Sequence, residues 1–544
     1  MLTQLRRALI GSPFSQLRSN LLPGAVRAAL ITTERLFPLA AKGDPFRLDR
    51  YFLVELPIAR GHATGDRWTL AYAIKDALPD VEYVSVETFS SQYSPHSSRL
   101  KCVDPPGDLG WSIRAIRAEK AWSIPPRPGG ALGGAGVRIG LLDTGYNVHR
   151  ELDGILVGQG VDLLSPVKRE PLDPYLAVDD IYQDHGTGVG SVLGSHGNIL
   201  PTGTGRGGAR SGTADAGPQS GIVGVAPEAD ILPIRCVDSV VTISKVSSVS
   251  VAKAIDTARH SGCDVISMSL GGLPAEYVHD ALRSAVYASN LVAVAAAGNY
   301  YRRVVFPGAY DECLAVAGTT YEDKPWADSG SGPWVDIAAP AQCVWRAAFD
   351  GGREVVAPGV GTSFSAPHVS GTAALWLAFS DRTSLLTHYA ASGHSLHFVF
   401  DEIAKITARK PTAWNSAKWG PGILDASAVL LTPLPHPSAL GDPIKPIPTE
   451  IELMGRLLGL EDHDFLLALT VILKDWFIVP GMGLLEELAE IIFEDLWGEV
   501  EVLLSALEQG AKTSAIAAQN LLDEIAGLAS SGSRKVSSIL SELL

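Results

Sequence analysis

Residues 361–371 read Gly-Thr-Ser-Phe-Ser-Ala-Pro-His-Val-Ser-Gly, and the rest of the chain is best read outward from them. Ser363 follows a Gly-Thr turn and precedes an apolar run whose spacing predicts a helix over 368–378. A hydroxyl placed there lies at a helix N-terminus, where backbone N–H groups lack intrahelical partners and favour developing negative charge. Those are the requirements of a serine nucleophile. Almost none of a free serine is ionised at neutral pH, so a base and a group that orients the base must come from elsewhere in the chain.

Two upstream segments supply them. Val137-Arg138-Ile139-Gly140-Leu141-Leu142-Asp143-Thr144-Gly145 is an apolar run ending in a carboxylate and a glycine turn, which reads as a buried strand presenting Asp143. In Asp184-His185-Gly186-Thr187-Gly188-Val189, His185 opens a helix-like apolar stretch and is the candidate base. A fourth segment, Leu291 to Asn299, is strand-like and ends in a side-chain amide. Acyl transfer develops a tetrahedral oxyanion, and an amide donor beside the nucleophile stabilises it. Taken singly, Asp-Thr-Gly is a common turn and His-Gly-Thr is weaker still. Gly-Thr-Ser followed by Ala-Pro-His is uncommon, and four such segments in one chain leave little room for a purely structural reading.

With these residues in place, the chain resembles the subtilisin-like (subtilase, S8) serine proteases, whose chain order is Asp, His, Ser. Matching elements run from about Trp111 to Leu430. The resemblance implies a three-layer α/β fold with a central parallel sheet flanked by helices. It also implies that Asp143 orients, His185 is general base and acid, Ser363 is the nucleophile and Asn299 the oxyanion donor. Ser269, Leu270 and Gly271 are similar to the family's substrate-binding strand, and with Ala296, Gly298 and Val305 they would line the pocket for the residue before the scissile bond. Val305 stands where the family often has a small residue, so a short pocket favouring small or medium apolar side chains is expected. Gly188 replaces the family's second histidine and is read as a change in packing, not chemistry; Ala341 stands where the family often has glycine, and neither change threatens the mechanism implied by the resemblance.

Independently of the resemblance, strand-like runs alternate with helical patterns from Gly136 to about Leu430, which implies a parallel sheet covered by helices. Catalytic groups at strand ends then meet in a crevice at the carboxyl edge. The tract from Asn198 to Gln219 contains Gly203-Thr204-Gly205-Arg206-Gly207-Gly208, a formal dinucleotide pattern that follows no strand and opens no helix. It reads as a surface insertion, and no nucleotide or other cofactor is expected.

At 544 residues, with 46% hydrophobic side chains and 55 glycines, the chain is long enough for about 2–4 domains. Six parts are expected: a lead segment (1–48, weakly helical), a prodomain-like α+β unit (49–88), a linker (89–110), the catalytic domain (111–432), a Pro-rich extended linker (433–449) and an acidic helical region (450–544). Within the second part, a strand over 51–58, a helix over 68–78 and a strand over 81–86 are predicted. A removable prodomain, making the chain a zymogen, and a retained accessory domain are both open, and cleavage is expected in the Ser- and Pro-rich stretch 90–108 around Tyr93 or Arg99. Residues 434–544 hold 18 acidic and six basic side chains, a net of −12 out of the chain's −15.

That acidity argues against nucleic acid as a partner. Charges at Lys474 and Asp475 interrupt the apolar stretch 465–485, at about 2.5–3.5 kcal/mol each for insertion, so no transmembrane segment is expected. The five cysteines, Cys102, Cys236, Cys263, Cys313 and Cys343, show no metal-like spacing and read as buried free thiols. With no unbroken apolar signal core near the N-terminus, they point to the cytoplasm; export by an unrecognised route is the alternative. The family often binds calcium, but the acidic stretch at Asp173, Asp179 and Asp180 has no EF-hand-like spacing, and no metal is assigned. The expected partner is a peptide or protein substrate, with a second protein for the C-terminal helices. The rival to an active endopeptidase is a latent protease-fold scaffold whose helical tail binds that partner.

Overall fold

A computed structural model describes residues 32–55, 104–158, 160–165, 170–173, 184–197, 221–240, 248–299, 303–350 and 352–448, with a few single positions besides. The chain divides into two compact units, one formed by Met1–Thr88 with Pro448–Leu544 and the other by Phe89–Ile447. In the first, the described part is an antiparallel pair, β1 (Thr32–Arg35) with β2 (Phe52–Glu55), in which Thr32 faces Glu55 and Arg35 faces Phe52. β2 falls within the strand expected over 51–58, whereas β1 lies in the segment read as weakly helical. Its Thr-Thr pair, with β-branched side chains, suits a strand. The helix expected over 68–78, the strand over 81–86, Tyr93, Arg99, the tract 198–219 and the C-terminal helices lie outside the described residues.

The second unit is built on β3 (Arg138–Asp143), β4 (Val161–Asp162), β5 (Asp230–Arg235), β6 (Val265–Met268), β7 (Val292–Ala296), β8 (Leu314–Thr319) and β9 (Ile337–Pro340), followed by β10 (Gln342–Asp350) and β11 (Arg353–Val360). The first seven form one sheet in the order β4-β5-β3-β6-β7-β8-β9, with every neighbouring pair parallel. β10 and β11 pair antiparallel as a separate hairpin. Strands buried on both faces need apolar residues on both, which is why β6 to β9 read as continuous apolar runs and not as alternations.

The two faces of β3 show how the layers are filled. Ile139 and Leu141 join the main core with Val189 and Val192 of the helix His185–Gly194 (the histidine helix) and Val369, Ala373 and Trp376 of the helix Thr362–Ser380 (the serine helix). On the opposite face Gly140 leaves room for the helix Ser248–His260: a Cβ on Gly140 would stand 3.1 Å from Ala258 Cβ and 3.2 Å from Cys263 Sγ. Each large side chain fully buried in this way contributes about 1.5–3 kcal/mol. The helix Glu276–Arg283 continues as a π-helical turn over Ser284–Ala288.

Three expectations are revised. The serine helix starts at Thr362, six residues before the expected start, and contains Pro367. Proline has no N–H to give to the carbonyl four residues back, which is that of Ser363. Ser269 Oγ donates to that carbonyl instead, at 2.7 Å, so the helix continues through the proline. Second, the stretch after Leu431 is laid against the catalytic domain: Arg127 Nη2 donates to Thr432 O (2.9 Å), Tyr389 Oη to Pro435 O (2.8 Å), and Lys445 N to Tyr287 Oη (2.9 Å). Third, Cys102 and Cys343 form a disulfide across 241 residues, leaving Cys236, Cys263 and Cys313 as the buried free thiols. Periodicity along a chain carries no information about which distant cysteine a strand will face. The same seam is stitched by Trp111 Nε1 donating to Cys343 O (2.8 Å) and Trp345 Nε1 to Pro106 O (2.9 Å). Two of the five thiols behind the reducing-compartment reading are therefore absent.

Thiol counting by mass spectrometry after alkylation checks this pairing. No cysteine of the folded protein should react, three should react after unfolding without reductant, and all five after unfolding with it.

Candidate active site

Asp143 ends β3 and is 1% exposed. Its Oδ1 accepts from Thr144 N at 2.7 Å and lies 2.8 Å from His185 Nδ1. A carboxylate on Nδ1 makes that nitrogen the donor and leaves Nε2 as the basic position, the tautomer a general base needs. His185 opens its helix behind Asp184, whose backbone is left-handed at φ 61°. The pair is this close because Gly186 has no side chain: a Cβ there would collide with Gly145 O and stand 3.2 Å from Asp143 Oδ1. Thr144 Oγ1 donates to Asp173 Oδ2 at 2.8 Å and accepts from Gly186 N at 3.3 Å, tying the strand end to the histidine helix.

Ser363 is the second residue of the serine helix and is 7% exposed. Its Oγ lies 3.4 Å from Ser269 O, to which it donates. Gly361, at φ 143°, makes the turn that delivers it, a conformation that favours glycine. Asn299, just beyond β7, is fixed by Thr362: its Oδ1 accepts from Thr362 N and from Thr362 Oγ1, both at 2.9 Å. With Oδ1 so occupied, the amide can present only its NH₂ donors to the cleft. Thr362 Oγ1 also accepts from Gly298 N at 3.1 Å. The ring of Phe364, next to Ser363, is tilted 33° to the His185 imidazole with centroids 6.3 Å apart, so the base and nucleophile helices meet here.

The residues expected to line the pocket also come together. Val305 N donates to Ala297 O at 3.0 Å, and Phe306 exchanges backbone hydrogen bonds with Gly272. Thus the segment after Asn299 threads between the ends of β6 and β7. The Val305 isopropyl group lies against the faces of Gly271 and Gly298: a Cβ on Gly271 would collide with it, and one on Gly298 would stand 3.0 Å from both of its methyl carbons. Ser269, Leu270 and Ala296 are buried.

Residues that the sequence patterns did not single out surround the base. Asp184 is buried, and burial raises its carboxyl; Arg346, Asn147 Nδ2, the Phe349 amide and His149 pull it back. Arg346, on β10, is half-buried, and burial pulls its guanidinium down while Asp184 offsets this. A glycine on a catalytic helix was the only sequence signal that something must fill the space beside it. Among the described residues, no three His, Cys, Asp or Glu side chains cluster to hold a metal ion, and no helix is long and apolar enough to cross a membrane. Asp179 and Asp180 lie outside those residues.

A parallel α/β sheet with Asp143 and His185 bonded at one strand end, and Ser363 beside Asn299 at the others, is the arrangement of a subtilisin-like protein. Residues 134–399, just under half of the chain, match the description of the subtilase family, and this region belongs to it. Similar proteins include the thermophilic serine proteinase of Bacillus sp. strain AK1, 32% identical over 46% of this chain and 55% of that protein. Thermitase of Thermoactinomyces vulgaris is 38% identical over 23% of this chain and 44% of its own length. A subtilisin-like protease of Coccidioides posadasii is 37% identical over 23% of this chain and 32% of its own. The chain thus spans about a third to about half the length of these relatives. The solved structure titled "Crystal structure of MycP1 with the N-terminal propeptide removed" is 24% identical, covering 60% of this chain and 98% of that one, with a TM-score of 0.45.

Two histidines behind the site set its acid limit. His368 donates from Nδ1 to Phe364 O (2.6 Å), and burial pulls its pKa down to about 4. His397 accepts from Ala293 N through Nδ1 (3.3 Å), and burial pulls it down to about 3. Both are neutral in the folded chain where the unfolded chain binds protons, near pH 6.5. Their contribution is complete above that value and is lost as pH falls toward 3–4. In urea unfolding between pH 6.5 and 4.5 the two histidines should contribute a slope approaching ~2.7 kcal/mol per pH unit, ~1.36 from each, opposed by Asp401, whose carboxyl burial raises to about 7. His397→Gln, which keeps an acceptor, should remove about half of it.

Proposed function

We propose that this chain is a serine endopeptidase acting through an acyl-enzyme. The observation that carries the reading is the 2.8 Å contact between Asp143 Oδ1 and His185 Nδ1, which makes Nε2 a base on the helix that packs against the one bearing Ser363. In the forward half, Ser363 Oγ attacks the scissile carbonyl as His185 Nε2 takes its proton. The carbonyl electron pair moves onto oxygen, where the Asn299 NH₂ and the helix-terminal N–H of Ser363 stabilise it. Collapse re-forms the carbonyl and breaks the C–N bond, with the His185 proton going to the leaving amine. Water, deprotonated by His185, then attacks the ester, and return of the proton to Ser363 Oγ releases the carboxylic acid. Asp143 stays ionised throughout and stabilises the imidazolium.

The substrate is proposed to be a peptide bound as an added strand along Ser269–Gly271. The placement of the Val305 side chain against Gly271 and Gly298 supports a short primary pocket and small or medium apolar residues before the cut.

Labelling with a fluorophosphonate tests the activity: wild type should label and Ser363→Ala should not. Absence of labelling in wild type, full-length or trimmed, would return the chain to the scaffold reading. In subtilisin, loss of the oxyanion amide lowers kcat by about 10²–10³-fold, and Asn299→Ala should do likewise with the fold intact. Specificity is read from a peptide library. Wild type should prefer Ala-sized to Val-sized residues before the cut, and Val305→Gly should raise kcat/KM for Phe or Leu there by about 10–200-fold relative to Ala. A wild-type profile led by Lys, Arg or Trp would exclude this pocket.

A further inference from the structure

Gly188 lies three residues after His185 on the same helix, and the space beside it is filled from outside. A Cβ on Gly188 would stand 2.7 Å from Arg346 Cδ and 3.4 Å from Arg346 Nε. The Arg346 stem therefore lies directly over the helix backbone one turn from the catalytic imidazole. Its guanidinium carbon is 5.9 Å from the centre of the Phe364 ring, within cation–π range, and that ring is the one tilted over His185. The hydrogen bonds of the arginine do little to hold it: Nη1 donates to Ala347 O at 2.8 Å, and Nε makes no hydrogen bond among the described residues. The strand bearing it is pinned to the histidine helix. Ala347 N donates to Ser191 Oγ at 2.9 Å, and Ser191 Oγ donates to Gly188 O at 2.7 Å. Asp184, the buried carboxylate preceding His185, has Arg346 as a compensating cation.

We infer that Arg346 is a positioning residue for the catalytic histidine: it occupies the gap over Gly188 and presses Phe364 against the imidazole, coupling the base helix to the nucleophile helix. Gly188 and Arg346 are then one device, since any side chain at 188 displaces the arginine. Phe364 takes its position because Gly359 has no side chain, and a Cβ there would collide with the ring. Three separate elements, the histidine helix, the β10–β11 hairpin and the start of the serine helix, thus converge on a single aromatic ring. The inference rests on the protease reading for the role of His185, but not for the packing.

The test has two arms on the full-length chain. In ¹⁵N-histidine-labelled protein, the Nδ1–H signal of His185 is assigned by its loss in His185→Ala and followed in Arg346→Ala and Gly188→Ala. Both variants should broaden or shift it, while the signal of buried His397, remote from Phe364, stays in place. This arm needs no catalytic activity, so it can fail or succeed independently of the protease reading. In the kinetic arm, with a short peptide anilide, each single variant should lower kcat about tenfold or more with KM within about twofold. The double variant should be no slower than the slower single, and Arg346→Met, which keeps the stem but loses the charged plane, should recover part of kcat. Unchanged His185 signals in both folded single variants would overturn the inference. So would multiplicative losses in the double variant, or a change confined to KM, which would place Arg346 against substrate. If Arg346→Ala does not fold, Gly188→Ala and Arg346→Met decide by the same readings.

Discussion

Parallel pairing of β3, β6 and β7 is the constraint on which the site depends. In that register Leu142, Met268 and Ala295 form one row across three strands. The next residues, Asp143, Ser269 and Ala296, consequently stand at the same edge of the sheet, with Asn299 three residues beyond Ala296. Because side chains alternate between faces, a slip of one residue in any pair would turn its terminal group away from the cleft. Close packing on both faces opposes such slips, since each would move every side chain of the strand to the other face, where its volume no longer matches its neighbours. Asp143, Ser269 and Asn299 are thereby held by the same hydrophobic forces that hold the core.

The serine helix adds the moving parts of the chemistry to this fixed edge. Its proline would ordinarily leave the Ser363 carbonyl without a donor, and a buried carbonyl without a partner costs about 1–3 kcal/mol. The Ser269 hydroxyl meets that need and in doing so ties the nucleophile to β6. Thr362 fixes the Asn299 amide from the other side with two hydrogen bonds. Each of the two groups that flank Ser363 is therefore oriented by a neighbour that takes no part in bond making, which is what preorganisation of an oxyanion site requires.

Much of this was legible from local pattern. β3 lies within the strand-like run Val137 to Gly145 and β7 within the run Leu291 to Asn299. Fully buried strands have a simple signature, and a functional side chain at the end of such a run is conspicuous. The helix start at Thr362 was missed because its stabilising contact comes from Ser269, 94 residues away. The Cys102–Cys343 bond was missed for the same kind of reason. Stretches with many prolines, such as 433–448, read as extended; what they lie against is a property of the folded surface.

By itself, the sequence determined the candidate reacting groups and the strands and helices that bear them: Asp143, His185, Asn299 and Ser363 each stand beside an apolar run of recognisable period. Only the tertiary structure decided their surroundings: that Arg346 fills the space over Gly188, that Val305 lies against Gly271 and Gly298, and that Ser269 serves the Ser363 carbonyl. Period and propensity act over a few residues, so they are written along the chain. Cavity filling and the pairing of buried polar atoms act between segments that share only space, and those partners are chosen when the sheet brings them within a few ångströms.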